Sequence, residues 1–203
     1  NLYFEDPERF KKEVLSQAKE KFQFMSVFLT FVKLLTGGEN DPVGTPILFD
    51  CSCSGMQHLS ALCSNFTLAK MVNVIPAEGR SDFYSIAAEY VSESILNSQD
   101  SYKENLSKVN INRAVMKIPV MTIPYNISLS GITEKLESTI VLEKIFEHKK
   151  CYYKIHPDFI KGQDEILTLT AFEFGILSKY IYNSLYNMVS SLKLLTELLN
   201  SLV

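Results

Sequence analysis

The stretch Asp50-Cys51-Ser52-Cys53-Ser54-Gly55-Met56-Gln57-His58 decides the reading of this chain. It follows a short apolar run, Ile47-Leu48-Phe49, suited to a buried strand, and Asp50 is expected at that strand's exit. From Cys53 to Leu62 the residues read as a turn entering a helix. A carboxylate leaving an apolar strand among small residues suits a metal held beside a phosphate. Mg²⁺ prefers oxygen donors and commonly takes only one or two protein carboxylates together with substrate phosphates. On the residues alone a second reading stands beside it, in which Asp50 caps the following turn.

A second constellation lies downstream, where Arg113, Lys117 and Tyr125 occupy the segment Asn112 to Tyr125. Four residues advance a helix by only about 40°, so on a continuous helix these side chains share one broad stripe. Arg with its planar fork and Lys as a point charge suit a triphosphate, and a Tyr ring can stack on a base. An ordinary solvated basic face has the same spacing. Pro119 and Pro124 each remove a backbone donor and predict a short or bent helix here.

Outward from these segments the pattern is mainly helical. Apolar positions from Asp6 to Leu35 recur at helical spacing and predict one long or one broken helix, with Gly37-Gly38 as its stop. Gly37 to Pro46 reads as a loop, Asn73 to Pro76 as a short extended piece, and Ser81 to Leu96 as a helix. Ser98 to Asn110 is polar and expected to be a loop, while Asn126 to Gly162 mixes apolar patches with turn residues and gives no clear element. From Leu167 to Leu202 helical spacing returns, with Gly175 as an expected break. The expected fold class is mainly α with a small β contribution (α+β).

Composition narrows the classes. With 203 residues, 46% of them hydrophobic, the chain can bury a sizeable core. A formal charge of -3 lacks the basic excess of a free-standing nucleic-acid binder, so any such contact needs a local patch. Cys51, Cys53, Cys63 and Cys151 form no CxxC pair, which gives a structural zinc site little support and suits a reducing compartment. No uninterrupted apolar stretch of membrane-spanning length is present, so no membrane contact is expected. The absence of a start Met suggests an internal or truncated segment.

Taken together, the two segments resemble the single-subunit, phage-type RNA polymerases. That family has a palm motif D-x-S-x-S-G-x-Q-H followed by a fingers motif R-x-x-x-K-x-x-x-M-T-x-x-Y. Asp50, Ser52, Ser54, Gly55, Gln57 and His58 fill the first, and Arg113, Lys117, Met121, Thr122 and Tyr125 fill the second. Between them Asn73 to Tyr84 (NVIPAEGRSDFY) resembles the family stretch that ends in a nucleotide-contacting tyrosine. Met121 to Asn126 (MTIPYN) is most similar to the branch encoded by mitochondria and mitochondrial linear plasmids, which implies a mitochondrial location.

The resemblance implies a palm portion at residues 1–70 and a fingers portion at 71–203. It implies template-directed nucleotidyl transfer from ribonucleoside triphosphates by a two-metal Mg²⁺ mechanism, with DNA template and nascent RNA as partners. Asp50 and the backbone carbonyl of Cys51 would hold metal. Arg113 and Lys117 would hold the triphosphate, with Lys117 also protonating the pyrophosphate leaving group. Tyr125 would close over the insertion site and take part in choosing ribose, and Tyr84 would lie near the sugar. Three departures stand out: Cys51 where phage enzymes carry glycine, Pro119 between Lys117 and Tyr125, and no His-Asp pair to supply the second aspartate. The chain is therefore expected not to polymerise alone, unless a second chain or a further C-terminal region supplies that aspartate. Two other readings are a polymerase relic acting as a structural component of a mitochondrial assembly, and a related template-directed DNA polymerase. The serines after Asp50 and the Gln57-His58 pair argue against the latter.

Overall fold

A computed structural model describes residues 2–37, 42, 44, 51–162 and 166–201, with backbone only at 199 and 200. The expected strand at Ile47 to Phe49, Asp50 itself and most of the loop before them lie outside the described residues. The chain divides into two compact units, Asn1–Asp50 and Cys51–Val203.

In the first unit the predicted helix is broken. Helix α1 (Leu2–Glu5) leads into α2 (Pro7–Glu13), whose first turn is fixed by Pro7 and by Asp6, which accepts a hydrogen bond from the Arg9 amide at 3.0 Å. A 3-10 turn at Leu15–Gln17 separates these from α3 (Lys21–Gly37), which ends at the predicted glycine. Edge-on ring contacts of Tyr3 with Phe10 and Phe28, at 5.2 and 5.1 Å, tie α1, α2 and α3 together.

The second unit is built on helices. Helix α4 (Ser54–Leu62) follows the turn at Cys53, and α5 (Phe66–Met71) is capped by Asn65. Then come α6 (Phe83–Leu96), α7 (Lys103–Ser107), α8 (Arg113–Thr122) and α9 (Leu129–Ile140). A three-stranded antiparallel sheet follows, in the order β1 (Val141–Glu147), β2 (Lys150–Ile155), β3 (Thr168–Thr170). Helices α10 (Ala171–Met188) and α11 (Ser190–Ser201) close the unit. Helices α6, α8, α9 and α10 pack on one another around Val91, Ile95, Met116, Val120, Leu136, Phe174, Leu177 and Ile181, all 0–1% exposed. Truncating any of the larger of these side chains, Ile95, Met116, Leu136, Phe174, Leu177 or Ile181, to Ala would cost about 2–5 kcal/mol. The core is thus anchored by the helix that carries Arg113 and Lys117.

Four local expectations are corrected. Ser98 to Asn110 is not all loop, because fully buried Leu106 docks a helical turn, α7, on the core. Asn73 to Pro76 is a turn instead of an extended piece, since Asn73 adopts φ 61°, a left-handed conformation that Asn tolerates. Gly175 does not break α10. Its neighbours Phe174 and Leu177 are both completely buried, so packing outweighs the propensity cost of one glycine, and the chain breaks at Val189 instead. The sheet, finally, places β1 and β2 in the region that gave no clear element and β3 at Thr168–Thr170, inside the run expected to be helical from Leu167, so that helix begins only at Ala171. The sheet's hairpin turns at His148 and Lys149, with φ 48° and 64°, the backbone of a two-residue turn for which Asn-Gly is the usual signal.

Candidate functional site

Helix α8 starts at Asn112, whose side chain accepts from the amides of Ala114 at 2.9 Å and Val115 at 3.2 Å. Val115, Met116, Pro119 and Val120 form its buried stripe, which turns Arg113 and Lys117 outward. Pro119 is accommodated inside the helix. Its missing amide leaves a rung unfilled, and Thr122 Oγ1 bonds back to the carbonyl of Ile118 at 2.8 Å. The helix does not run on to Tyr125. It tightens into a 3-10 turn at Ile123–Tyr125, ended by Asn126 at φ 60°. Tyr125 is 73% exposed on that turn. Arg113, Lys117 and Tyr125 are thus all exposed, but on two helical segments instead of one continuous stripe.

The first motif meets this turn through Gly55. A side-chain carbon built on Gly55 would lie 3.0 Å from Pro124 Cγ and 3.8 Å from Tyr125 Cε2, so the glycine allows α4 to sit directly against the turn. From the same helix Gln57 donates its side-chain amide to the Val72 carbonyl at 2.7 Å. Asn73, the next residue, donates to Ser52 Oγ at 3.3 Å and to the Ser81 carbonyl at 2.8 Å, and accepts from the Ser81 amide at 2.8 Å. The segment from Asn73 to Tyr84 is thereby pinned to the first motif at one end.

Its other end meets α8. Asp82 caps α6 by accepting from the Tyr84 amide at 3.2 Å, and its Oδ2 accepts from Arg113 Nε at 2.8 Å. Burial alone would raise the Asp82 pKa, but the hydrogen bonds from Arg113 and Ser85 and the Arg113 charge outweigh it and hold the carboxyl below its ordinary value. The Tyr84 ring is buried with the Arg113 guanidinium 5.0 Å above its centroid. Tyr84 also hydrogen-bonds the Cys53 thiol, whose pKa is pushed up chiefly by burial. Cys51, by contrast, is exposed. These contacts therefore link Ser52, Gly55, Gln57, Tyr84, Arg113 and Tyr125, while Asp50 lies outside the described residues. His58 is exposed on α4.

The sequence reading missed Asn73 and Asp82. Asp82 carried a visible signal, an Asp immediately before the helix-forming run at Phe83. Asn73 carried none, because a left-handed Asn is not distinguishable from any other loop Asn without its partners. Among the described residues no group of three His, Cys, Asp or Glu is placed to hold a metal. The candidate donors, the Asp50 carboxylate and the Cys51 carbonyl, are both oxygen ligands of the kind Mg²⁺ takes.

Residues 4–202 match the family described as DNA-dependent RNA polymerase. A probable DNA-directed RNA polymerase of Agaricus bitorquis is 32% identical over 202 residues, covering 96% of this chain and 18% of that protein. The mitochondrial DNA-directed RNA polymerase of Schizosaccharomyces pombe is 31% identical over 138 residues, 64% of this chain and 12% of the relative. T7 RNA polymerase of Escherichia phage T7 is 27% identical over 147 residues, 59% of this chain and 17% of the relative. The chain thus spans less than a fifth of the length of each of these proteins. The match across nearly its whole length, joined to the motif residues that the fold assembles, places the chain in the single-subunit, phage-type DNA-dependent RNA polymerase family.

Proposed function

We propose that this chain forms the nucleotide-insertion region of a DNA-directed RNA polymerase, which extends RNA on a DNA template from ribonucleoside triphosphates. The observation that carries the reading is the convergence of three separate segments: Gly55 lies against Pro124 and Tyr125, Asn73 ties Ser52 to Ser81, and Asp82 holds Arg113. Residues 1–70 are assigned to the palm and 71–203 to the fingers. Arg113 and Lys117 bind the triphosphate, and Lys117 is placed to protonate the leaving pyrophosphate. Tyr125 covers the insertion site and reads the sugar hydroxyl, while Tyr84 forms the floor beneath Arg113 on the sugar side.

Asp50 and the Cys51 carbonyl are the residues that would hold Mg²⁺, which polymerases of this family generally use. When bound, such ions lower the pKa of the attacking hydroxyl and offset charge on the departing phosphates. The protein's own part is positioning and neutralisation. The second aspartate is assigned to a further C-terminal region or to a second chain. Mitochondria are the proposed location, by the resemblance of Met121 to Asn126 and by the name of the fission-yeast relative. Among the described residues no helix is long and apolar enough to cross a membrane. The relatives' RNA polymerase names favour this reading over a DNA polymerase.

The test is equilibrium binding of a ribonucleoside triphosphate in Mg²⁺. Lys117→Ala should weaken it by at least about tenfold, the loss of one charged phosphate contact. In any longer polymerase chain carrying this segment, Asp50→Ala should abolish RNA extension and leave template binding nearly intact, because it removes a metal ligand and no backbone-phosphate contact. Full extension by that variant would overturn the assignment.

A further inference from the structure

Arg113 is held in an unusual way for an ion-paired arginine. Its Nε donates to Asp82 Oδ2 at 2.8 Å, and among the described residues its two terminal amino groups have no hydrogen-bond partner. A planar fork normally closes on both oxygens of a carboxylate. Here it closes on one oxygen only, while Oδ1 of Asp82 accepts from the Tyr84 amide at 3.2 Å. Oδ2 accepts from Ser85 Oγ at 3.1 Å as well, so the carboxylate is fixed by the first turn of α6 before it meets Arg113. From below, the Tyr84 ring at 5.0 Å prevents the guanidinium from tilting towards the core. The result is a cation gripped at one edge, with four N–H donors left over.

We infer that Asp82 is a positioning residue of the nucleotide site: it fixes Arg113 at Nε over the Tyr84 ring, so that the two terminal amino groups present a preset fork to the triphosphate. This inference rests on the reading of Arg113 as a triphosphate ligand. Two effects of the carboxylate oppose each other. Its charge weakens the attraction of Arg113 for phosphate. Its hydrogen bond removes rotamer freedom that the nucleotide would otherwise have to freeze. Both side chains are about half exposed, 55% for Arg113 and 41% for Asp82, so water and salt screen the first effect. The Tyr84 amide and Ser85 fix the carboxylate, and the Tyr84 ring supports the guanidinium, independently of the pair's charge, so positioning prevails.

The experiment measures binding of GTP with Mg²⁺, and of GMP, to the unaltered chain and to Asp82→Asn, Asp82→Ser, Arg113→Ala and the Asp82→Asn/Arg113→Ala double variant. Asn and Ser both serve well as helix N-caps, so each substitution keeps the start of α6 while removing the charged acceptor. Either Asp82 variant should weaken GTP binding about five- to twentyfold and leave GMP binding within about twofold, less than the loss of a direct charge-assisted contact because Asp82 acts only through Arg113. The double variant should bind GTP no more weakly than Arg113→Ala alone. A role in folding only would lower both affinities together, and that result overturns the inference. So does unchanged or tighter GTP binding by both Asp82 variants when Arg113→Ala is weakened. If Arg113→Ala itself binds GTP normally, or the unaltered chain shows no preference for GTP over GMP, the functional reading of Arg113 falls and the inference falls with it.

Discussion

Gln57 donates its side-chain amide to the carbonyl of Val72 at 2.7 Å, joining two motif segments that lie fifteen residues apart in sequence. Val72 is completely buried and Gln57 partly so, which leaves that carbonyl poorly placed to find water instead. Gln57→Ala should therefore destabilise the chain by about 1–2 kcal/mol, measured by urea denaturation. Gln57→Glu should cost at least as much, since an ionised carboxylate cannot donate.

Gly55 separates stability from geometry. Alanine there gains helix propensity worth up to about 1 kcal/mol, while its new carbon must displace the Pro124 ring by a few tenths of an ångström. Gly55→Ala should leave the melting temperature within a few degrees of the original. It should nonetheless weaken triphosphate binding, because Pro124 carries Tyr125 with it. Unaltered affinity in a well-folded Gly55→Ala chain would show that the contact is not felt at Tyr125.

Asn73 combines a left-handed backbone with three side-chain hydrogen bonds. Asn73→Gly keeps the backbone and loses the bonds, at a cost of about 1–2 kcal/mol. Asn73→Ala loses both and should be worse than glycine by a further ~1 kcal/mol. The ordering Asn, then Gly, then Ala is checked by comparing unfolding midpoints, and an alanine variant as stable as the glycine one would contradict it.

Glu173 is expected to make the fold sensitive to acid. It is 5% exposed, accepts from Asn105 at 2.8 Å and closes the capping box with Thr170 at the start of α10. Burial raises its pKa, but the hydrogen bonds from Asn105 and Thr170 prevail and hold it below the ordinary 4.5. A carboxyl whose folded pKa is depressed contributes stability above its unfolded pKa and loses it as pH falls through the folded one. Stability should thus decline as pH drops from 4.5 downwards. Glu173→Gln should cost about 1–2 kcal/mol at neutral pH and flatten that decline, as read from unfolding free energies across the acid range.

Helix positions and motif residues were legible because each has a local cause. The outward placing of Arg113 and Lys117 and the glycine end of α3 follow from residue type and spacing. What escaped the sequence depends on partners distant along the chain. The β1–β2 hairpin turns on two non-glycine residues in left-handed conformations, which no turn signal announces. Gly175 failed as a breaker because buried neighbours outweighed propensity. Asn73 and the edge-on grip on Arg113 are tertiary facts: the residues were in view, but their pairing was not. The same distinction explains why Arg113, Lys117 and Tyr125 were recognised as a group while the turn that reorients Tyr125 was not placed.

The two thiols that flank Ser52 are of opposite character. Cys51 is exposed, whereas Cys53 is 4% exposed with its proton held more firmly by burial. An alkylating reagent needs an accessible thiol, so of these two a maleimide would find Cys51 first, and Cys53 would be spared until the fold opens. A small fluorophore attached there would report from beside Ser52 on the arrival of a nucleotide, and delayed labelling of Cys53 would time the unfolding of the same site.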